Sequence, residues 1–358
     1  MDGYYFMALL SYDGIAITGI SACVPRKRID NRSLSEPFSG PLLEKTIKTT
    51  GIVERRIADA STCASDLCCQ AASRLMDSMG IDRDTIDVVI FVTQSPDFKV
   101  PATAPLIQHR LGLKKETAAF DVNLGCSGYV YGLSMAYAYA TQAHICRVLL
   151  LVGDTPSKYV SSLDKTTGIL FGDGGTATIV EKKKDAGKSF FSLNSDGSGA
   201  NALQIKAGGF RHPSTPETLA NVTHEDGSIR NEEHLTMDGG AIFNFTIKQV
   251  PADIKKLLEF SNTDISDIDY LVYHQANKFI TDHLTKKLKF PLEKVPYSLG
   301  KFGNTTCLTI PVTLVSEIGT EIETGTKNLV LSGFGIGLSW ATAILTIKNC
   351  HVLGMIEV

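Results

Sequence analysis

The sequence predicts an α/β protein assembled from two similar halves. Apolar runs of strand length alternate with amphipathic helical patterns, and the strands are apolar on both faces, as in a sheet covered by helices. The apolar runs lie at 15–20, 88–93, 119–122, 148–152 and 176–180, and helices are predicted near 64–79 and after residue 127. This alternation predicts sheets with helices packed on their faces.

Two pairs of matching segments indicate that the second half of the chain repeats the first. In one pair, an Ile-Asp dipeptide follows an amphipathic helix and opens a strand. In the other, a helix after a polar loop leads into the next strand over a nearly equal distance. The segments are 86–91 and 268–273 for the first pair, and 126–152 and 304–331 for the second. Two matches in the same order predict an internal duplication, and we place the halves at 15–185 and 186–350.

The bulk composition excludes several functional classes. Of the 358 residues, 43% are hydrophobic and 20% are charged, which is enough apolar material for a buried sheet. The formal net charge of −3 gives no electrostatic reason to bind nucleic acid or an anionic membrane. The apolar stretch 6–10 is too short to span a membrane, and no basic residue precedes it as in a signal peptide. We therefore expect a cytoplasmic protein.

The cysteine spacing and one long polar segment carry further expectations. The eight cysteines form no Cys-x-x-Cys pair, which argues against zinc knuckles and a disulfide framework, so we expect reduced thiols and no metal. The segment 182–238 is rich in Gly, Ser, Asn and Lys, and its simplest interpretation is a surface connection between the halves. The alternative is that so long an insertion forms a wall of a substrate tunnel.

Cys126 occupies a position suited to a nucleophile. Between Asp121 and Gly128 a strand runs through a glycine-flanked turn into a helix, so the thiol lies at a helix N-terminus. The partial positive charge and the free amides of that terminus favour a thiolate and can also receive an oxyanion. The small neighbours Gly125 and Ser127 leave room for an acyl group. On local sequence alone, a buried structural cysteine is the commoner interpretation.

Two further residues converge on Cys126 if a pseudo-twofold axis relates the halves. His274 follows the repeated strand at its carboxyl end, where the catalytic groups of α/β sheets collect. Asn304 lies in the loop that the repeat makes equivalent to the loop of Cys126, so the symmetry predicts that these two residues face each other. A glycine-rich segment at 332–337 follows a strand but opens no helix, which excludes a dinucleotide site and favours close approach of backbone to a substrate.

Taken together, these segments resemble the β-ketoacyl-acyl-carrier-protein synthase III family. The resemblance extends from about residue 15 to residue 347, with the motifs in the family's order and spacing. It rests on Asn-Leu-Gly-Cys-Ser-Gly at 123–128, Phe-Gly-Asp-Gly at 171–174, His-Gln-Ala-Asn at 274–277, Gly-Asn-Thr-Thr at 303–306 and Gly-Phe-Gly-Ile-Gly at 333–337. The family implies a thiolase-like fold, which is a duplicated αβαβα arrangement of layers with two mixed five-stranded sheets, usually in a homodimer.

The resemblance also implies a two-stage reaction on thioesters. Cys126 would take an acyl group from its donor and pass it to a carbanion, while His274 and Asn304 hydrogen-bond the malonyl thioester carbonyl as carbon dioxide leaves. Backbone amides of Cys126 and of 335–337 would form the oxyanion hole. The implied oxyanion and substrate-binding residues are Phe171, Asn277, Phe334, Gly335, Ile336 and Gly337, with Ile336 in place of the family's middle glycine. No cofactor is implied, since thioesters of coenzyme A or acyl carrier protein are the substrates.

At the positions that would bind coenzyme A, the chain departs from the family. Lys45, Thr49 and Lys165 stand where the family has a tryptophan and two arginines, and two lysines cannot form an aromatic–guanidinium sandwich. Two enzymatic hypotheses follow. The first is a synthase III that starts fatty-acid synthesis by condensing a short acyl group with malonyl-acyl carrier protein. The second is a divergent acyltransferase of a specialised pathway, with an acyl-carrier-protein donor or a non-malonyl acceptor.

The helix after His274 is a candidate docking face for an acidic acyl carrier protein. Phe279 stands at the family's carrier-docking arginine, but Lys278, Lys286 and Lys287 still make the helix basic. The alternative is an ordinary solvated helix face. A third functional hypothesis, a catalytically silent subunit of a heterodimer, conflicts with the three intact catalytic positions.

Overall fold

The structure is a computed structural model that describes residues 8–34, 38 and 40–358. The strands are β1 (Ala8–Tyr12), β2 (Ile15–Val24), β3 (Arg28–Asp30), β4 (Glu54–Arg56), β5 (Ile86–Val92), β6 (Ala118–Val122), β7 (Arg147–Asp154), β8 (Gly174–Lys182), β9 (Ser189–Ser195), β10 (Leu203–Gln204), β11 (Val222–Thr223), β12 (Ile229–Arg230), β13 (Thr236–Met237), β14 (Tyr270–Tyr273), β15 (Thr326–Gly335), β16 (Ser339–Lys348) and β17 (His351–Glu357). The helices are α1 (Gly40–Thr50), α2 (Ala64–Met79), α3 (Thr103–Arg110), α4 (Gly128–Ala140), α5 (Gly239–Ser261), α6 (Lys278–Leu288), α7 (Leu299–Phe302), α8 (Thr309–Glu317) and α9 (Gly319–Thr324).

Two large mixed sheets contain the same four-strand unit. The first sheet has the order β17-β2-β8-β7-β5-β6, and the second has the order β1-β9-β16-β15-β14. Within the units β2-β8-β7-β5 and β9-β16-β15-β14, two antiparallel pairings are followed by one parallel pairing. The predicted duplication is therefore confirmed at the level of strand order and direction.

The aspartate of the repeated Ile-Asp pair forms an equivalent hydrogen bond in both halves. The Asp87 carboxylate accepts a hydrogen bond from the backbone N–H of Cys146, at 2.5 Å, where the chain enters β7. The Asp269 carboxylate accepts one from the N–H of Asn328, at 2.8 Å, at the start of β15. In each half, an aspartate on one parallel strand thus fixes the beginning of its neighbour, which explains why the pair recurs.

The first and last strands each join the sheet of the opposite half. β17 pairs in parallel with β2 in the first sheet, and β1 pairs antiparallel with β9 in the second. The prediction of five strands in each sheet is thus wrong for the first sheet, which has six. The outer edge of β2 would otherwise carry unpaired backbone groups, and β17 satisfies them.

The layers follow the predicted αβαβα order. Helices α4 and α8 pack between the two sheets, α2 and α3 cover the outer face of the first sheet, and α5 and α6 cover that of the second. Helix α4 is apolar on all sides because it touches a sheet on each side. A Cβ on Gly132 would lie 2.8 Å from side-chain atoms of Val92 and Leu150, so glycine lets this helix pack close to the first sheet. This packing fixes the helix N-terminus that follows Cys126.

No helix in the described ranges is long and apolar enough to cross a membrane.

Candidate active site

Cys126 lies in the tight turn between β6 and α4. The N–H of Gly128 donates to the carbonyl of Gly125 at 2.7 Å and closes this turn. Ser127 does not cap the helix with its side chain; its Oγ lies 2.7 Å from Oγ of Ser339, which comes from the second half. The cysteine is 7% exposed. The candidate nucleophile is therefore buried where the two halves meet.

The glycine-rich segment packs directly against this cysteine. A Cβ on Gly333 would lie 2.9 Å from the carbonyl oxygen of Cys126, and a Cβ on Gly335 would lie 2.7 Å from its Sγ. The backbone amides of Ile336 and of Cys126 itself lie near enough to the sulfur to lower the pKa of its thiol. The two amides predicted for an oxyanion hole thus converge on the reacting atom.

Burial raises the pKa of the Cys126 thiol to about 11. The Asp154 carboxylate adds to the rise, whereas the amides of Ile336 and Cys126 lower the pKa. The amides favour the thiolate, as expected at a helix N-terminus, but removal from water outweighs them and the pKa is raised overall. At neutral pH the group is a thiol.

His274 is held rigidly at the end of β14. Its Nδ1 lies 2.8 Å from Oγ1 of Thr309, whose hydroxyl oxygen also lies 3.3 Å from the carbonyl of Thr306. The ring of Phe334 packs edge-on against the imidazole, with the centroids 5.6 Å apart. Burial lowers the pKa of His274 to about 3, so the imidazole is neutral at physiological pH.

Asn304 is fixed by the loop that follows α7. Its backbone N–H donates to the carbonyl of Leu170 at 2.9 Å, and its own carbonyl accepts from Gly172 at 3.1 Å. The side-chain Oδ1 accepts a hydrogen bond from the N–H of Thr306 at 2.9 Å. With Oδ1 occupied in this way, Nδ2 is the end of the amide that can donate to a substrate.

Thr306 connects the predicted residues. Its N–H holds Asn304, its carbonyl accepts from the threonine beside His274, and its side chain lines the same cavity as Cys126. Its hydroxyl donates to Oδ2 of the buried Asp154 at 2.7 Å. Through Thr306, the three residues singled out in the sequence belong to one continuous site.

Cys126 opens into a cavity of about 410 Å³. The lining residues are Gln94, Asn123, Cys126, Tyr159, Phe171, Ala200, Leu203, Gln204, Ile205, Leu235, Thr306, Ile336 and Gly337. Five of them come from the segment 182–238. The segment 182–238 thus forms part of the wall of this cavity, in line with the alternative interpretation, and is more than a surface connection.

The other predicted substrate-binding residues take different positions. Phe171, Ile336 and Gly337 line the cavity. Phe334 is fully buried and packs on His274 rather than facing the cavity. Asn277 caps helix α6, with its side chain accepting from the N–H of Ile280 at 2.8 Å.

The predicted basic face on α6 is exposed. Lys278 forms an ion pair with Asp282 at 2.8 Å, whereas Lys286 and Lys287 lie exposed in the last turn of the helix. Phe279 is 53% exposed, and its ring stacks on Phe243 of α5 at a centroid distance of 5.4 Å. The face therefore combines positive charge with an exposed aromatic ring.

The structure also shows where the three residues at the family's coenzyme A positions lie. Lys45 and Thr49 are exposed on α1. The ammonium of Lys165 donates to the carbonyl of Asp226 at 2.8 Å, in the turn between β11 and β12. Lys165 thus holds this turn of the segment 182–238 in place.

Several residues of the site were missed in the sequence. Gln94 and Tyr159 line the cavity, and the buried Asp154 accepts hydrogen bonds from four N–H or O–H donors and from the thiol of Cys307. The signal was present, since Gln94 follows β5 and Asp154 ends β7, at the carboxyl ends where α/β sheets collect functional groups. The strand-end rule that singles out His274 in the second half thus applies equally to Gln94 and Asp154 in the first.

The site combines a buried cysteine near two backbone amides with a neutral histidine and an asparagine from the opposite half. This combination, on a duplicated layered fold, is typical of the thiolase-fold condensing enzymes. Residues 120–199 match the family model of 3-oxoacyl-[acyl-carrier-protein (ACP)] synthase III, and 258–347 match the model of its C terminal part. The chain belongs to the 3-oxoacyl-[acyl-carrier-protein] synthase III family.

Relatives cover almost the whole chain. A β-ketoacyl-[acyl-carrier-protein] synthase III of Chlamydia caviae is 34% identical over 332 residues, which are 92% of this chain and 96% of that protein. The crystal structure of a 3-oxoacyl-(acyl-carrier protein) synthase from Burkholderia xenovorans LB400 is 38% identical, with a TM-score of 0.92 over 98% of this chain and 99% of the other. A synthase III from Thermus thermophilus is 30% identical, with a TM-score of 0.79 over 93% and 99%.

Proposed function

We propose that this chain is a β-ketoacyl-acyl-carrier-protein synthase III with Cys126 as its nucleophile. In the first stage the sulfur of Cys126 attacks the carbonyl carbon of an acyl thioester, and a carbon–sulfur bond forms. The bond from that carbon to the donor sulfur breaks, and the donor thiol leaves with the proton that Cys126 gives up. The amides of Ile336 and Cys126 stabilise the negative charge on the carbonyl oxygen during this exchange.

In the second stage the acyl group moves to a carbanion. The malonyl thioester loses carbon dioxide, and the electron pair of the broken carbon–carbon bond forms an enolate. That enolate attacks the acyl carbon on Cys126, a new carbon–carbon bond forms, and the thiolate leaves and regains a proton. The side chains of His274 and Asn304, which we call the carbonyl-binding pair, hydrogen-bond the enolate oxygen.

The close approach of the glycine-rich backbone to Cys126 carries this proposal, since a Cβ on Gly335 would lie 2.7 Å from its Sγ. The direct test is to supply acyl donor and malonyl-acyl carrier protein and to identify the product by mass spectrometry. We expect β-ketoacyl-acyl carrier protein together with an equal amount of carbon dioxide. A product without loss of carbon dioxide would support the second hypothesis, a non-malonyl acceptor.

Acyl carrier protein is the proposed acyl donor, and coenzyme A is the alternative. Lys45 and Lys165, at the positions where the family binds coenzyme A, support this choice. Lys45 is an exposed cation and the ammonium of Lys165 is bound to the carbonyl of Asp226, so neither offers a flat group that could stack on the adenine of coenzyme A. Incubation with matched acyl-coenzyme A and acyl-carrier-protein donors distinguishes them by the rate at which the acyl mass appears on the protein. Faster labelling from acyl-coenzyme A would overturn the choice.

The carrier is proposed to dock on helix α6. Lys278, Lys286 and Lys287 supply positive charge for an acidic partner, and Phe279 offers an apolar contact at the centre of the same face. No metal or cofactor enters the proposed reaction, since its bonds and electrons balance without one.

We further propose a cytoplasmic homodimer. The eight cysteines, all within the described ranges, are free thiols, as expected in a reducing compartment. In the described part of the chain, β6 pairs with β5 along one edge and with no strand along the other. A second copy would pair its own β6 across a twofold axis and satisfy these backbone groups. Light scattering on the purified protein tests this, and a monomer mass at micromolar concentration would contradict it.

A further inference from the structure

Asp154 is a fully buried carboxylate that the proposed reaction does not use. It ends β7, and no ion pair among the residues that the structure describes includes it. Its Oδ1 accepts from the N–H of Gln94 at 2.8 Å, from Ser95 Oγ at 2.9 Å and from Thr93 Oγ1 at 3.1 Å. These three donors come from the segment just after β5. Such a carboxylate is held by hydrogen bonds alone, which fixes its direction.

The fourth donor comes from the other half of the molecule. Oδ2 of Asp154 accepts from the hydroxyl of Thr306, 152 residues further along the chain, and the thiol of Cys307 also lies 3.5 Å away. The hydroxyl of Thr306 is also 2.7 Å from the carbonyl of Thr305. Its single proton goes to the carboxylate, because a charged acceptor forms the stronger hydrogen bond.

Thr306 needs an external contact to keep its conformation. Its φ is +56°, in the left-handed region that a β-branched residue rarely adopts. Such a conformation persists only when surrounding contacts over-determine it. The hydrogen bond to Asp154 is the side-chain contact that does so.

The main chain of Thr306 in turn holds both members of the carbonyl-binding pair. Its N–H fixes Oδ1 of Asn304 at 2.9 Å, and its carbonyl lies 3.3 Å from Oγ1 of Thr309, which in turn lies 2.8 Å from Nδ1 of His274. A shift of this one residue would therefore move two donors at once.

We propose that Asp154 is a positioning residue, which acts through the hydroxyl of Thr306 on the carbonyl-binding pair. The inference rests on the proposed function, and it predicts a selective defect. The decarboxylation stage uses the pair, whereas acylation of Cys126 uses the amides of Ile336 and Cys126. Loss of the anchor thus impairs decarboxylation and leaves acylation largely intact.

Two threonine substitutions form a matched test. Thr306→Val removes the anchoring hydroxyl at constant shape, and Thr305→Val removes a neighbouring buried hydroxyl that has no hydrogen-bond partner within the described part of the chain. Thr306→Ser keeps the hydroxyl, and Asp154→Asn changes the acceptor. Each variant is assayed for acyl transfer to Cys126 by mass spectrometry and for carbon dioxide release from malonyl-acyl carrier protein.

We expect Thr306→Val and Asp154→Asn to lower the rate of carbon dioxide release by about tenfold or more and the rate of acyl transfer by much less, so that the ratio of the two rates changes. Thr306→Ser should recover most of the loss, and Thr305→Val should change neither stage. Parallel loss of both stages, or equal behaviour of the two valine variants, would overturn the positioning role alone. An unmodified protein that releases no carbon dioxide would overturn the proposed function and this inference with it.

Discussion

Gly335 touches the nucleophile: a Cβ at this position would lie 2.7 Å from Sγ of Cys126. No side chain fits in that space unless the sulfur or the strand moves. Gly335→Ala should therefore displace the thiol by a fraction of an ångström to an ångström and lower kcat/KM by about 10²-fold.

Gly354→Ala is the matched control, because a Cβ there meets no atom within 4 Å. The measurement is kcat/KM for the full reaction, together with a thermal unfolding midpoint for each variant. If Gly335→Ala has the same kcat/KM as Gly354→Ala, the close contact between residue 335 and Cys126 is not needed for activity.

Removing the carbonyl-binding pair should separate the two stages of the reaction. His274→Ala and Asn304→Ala each delete a donor to the enolate, and loss of one such donor typically costs about 10²- to 10³-fold in rate. We expect that loss in carbon dioxide release from malonyl-acyl carrier protein, while acyl transfer to Cys126 continues. If acyl transfer falls as far as carbon dioxide release, the pair has another role.

Alkylation of Cys126 should depend steeply on pH. Because its pKa is raised to about 11, the reactive thiolate fraction at pH 7 is small and grows about tenfold for each pH unit up to pH 10. Iodoacetamide labelling followed by peptide mass spectrometry measures this rate, in a Cys146→Ser background because Cys146 is exposed. A labelling rate that levels off below pH 8 would mean that the helix N-terminus does stabilise a thiolate.

Charge reversal on α6 should weaken carrier binding without changing the chemistry. Lys286→Glu combined with Lys287→Glu should raise KM for malonyl-acyl carrier protein by about tenfold at low salt, with kcat nearly constant. The difference should shrink as ionic strength rises. Lys183→Glu combined with Lys184→Glu, at two exposed lysines between β8 and β9, controls for net charge. Equal KM values for the two variants would remove α6 as the docking face.

The positions of the three candidate catalytic residues could be predicted because their signals are local and repeated. Cys126 stands in a glycine-flanked turn before a helix, His274 follows a repeated strand, and Asn304 lies in the loop that the duplication makes equivalent to that of Cys126. Pseudo-symmetry then brings distant segments together without any knowledge of side-chain packing. The layered αβαβα arrangement followed from the family resemblance, with which the repeat agrees.

What could not be predicted depends on contacts between distant residues. The bond between Asp154 and Thr306 joins positions 152 residues apart, and no local pattern marks either one. The pKa of Cys126 follows from burial, which opposes the effect of its local turn. The sixth strand of the first sheet lies beyond the repeated unit, so the duplication gave no sign of it. Asn277 was predicted to bind substrate, but in the structure its side chain caps α6.

The central claim, that Cys126 carries the acyl group, is tested most directly by mass spectrometry of the intact protein and its peptides after incubation with acyl-acyl carrier protein. The account predicts one added acyl mass per chain, located on the peptide that contains Cys126 and absent from Cys126→Ala. An acyl mass on the buried Cys307 or on any other cysteine, or none with any donor, would contradict it.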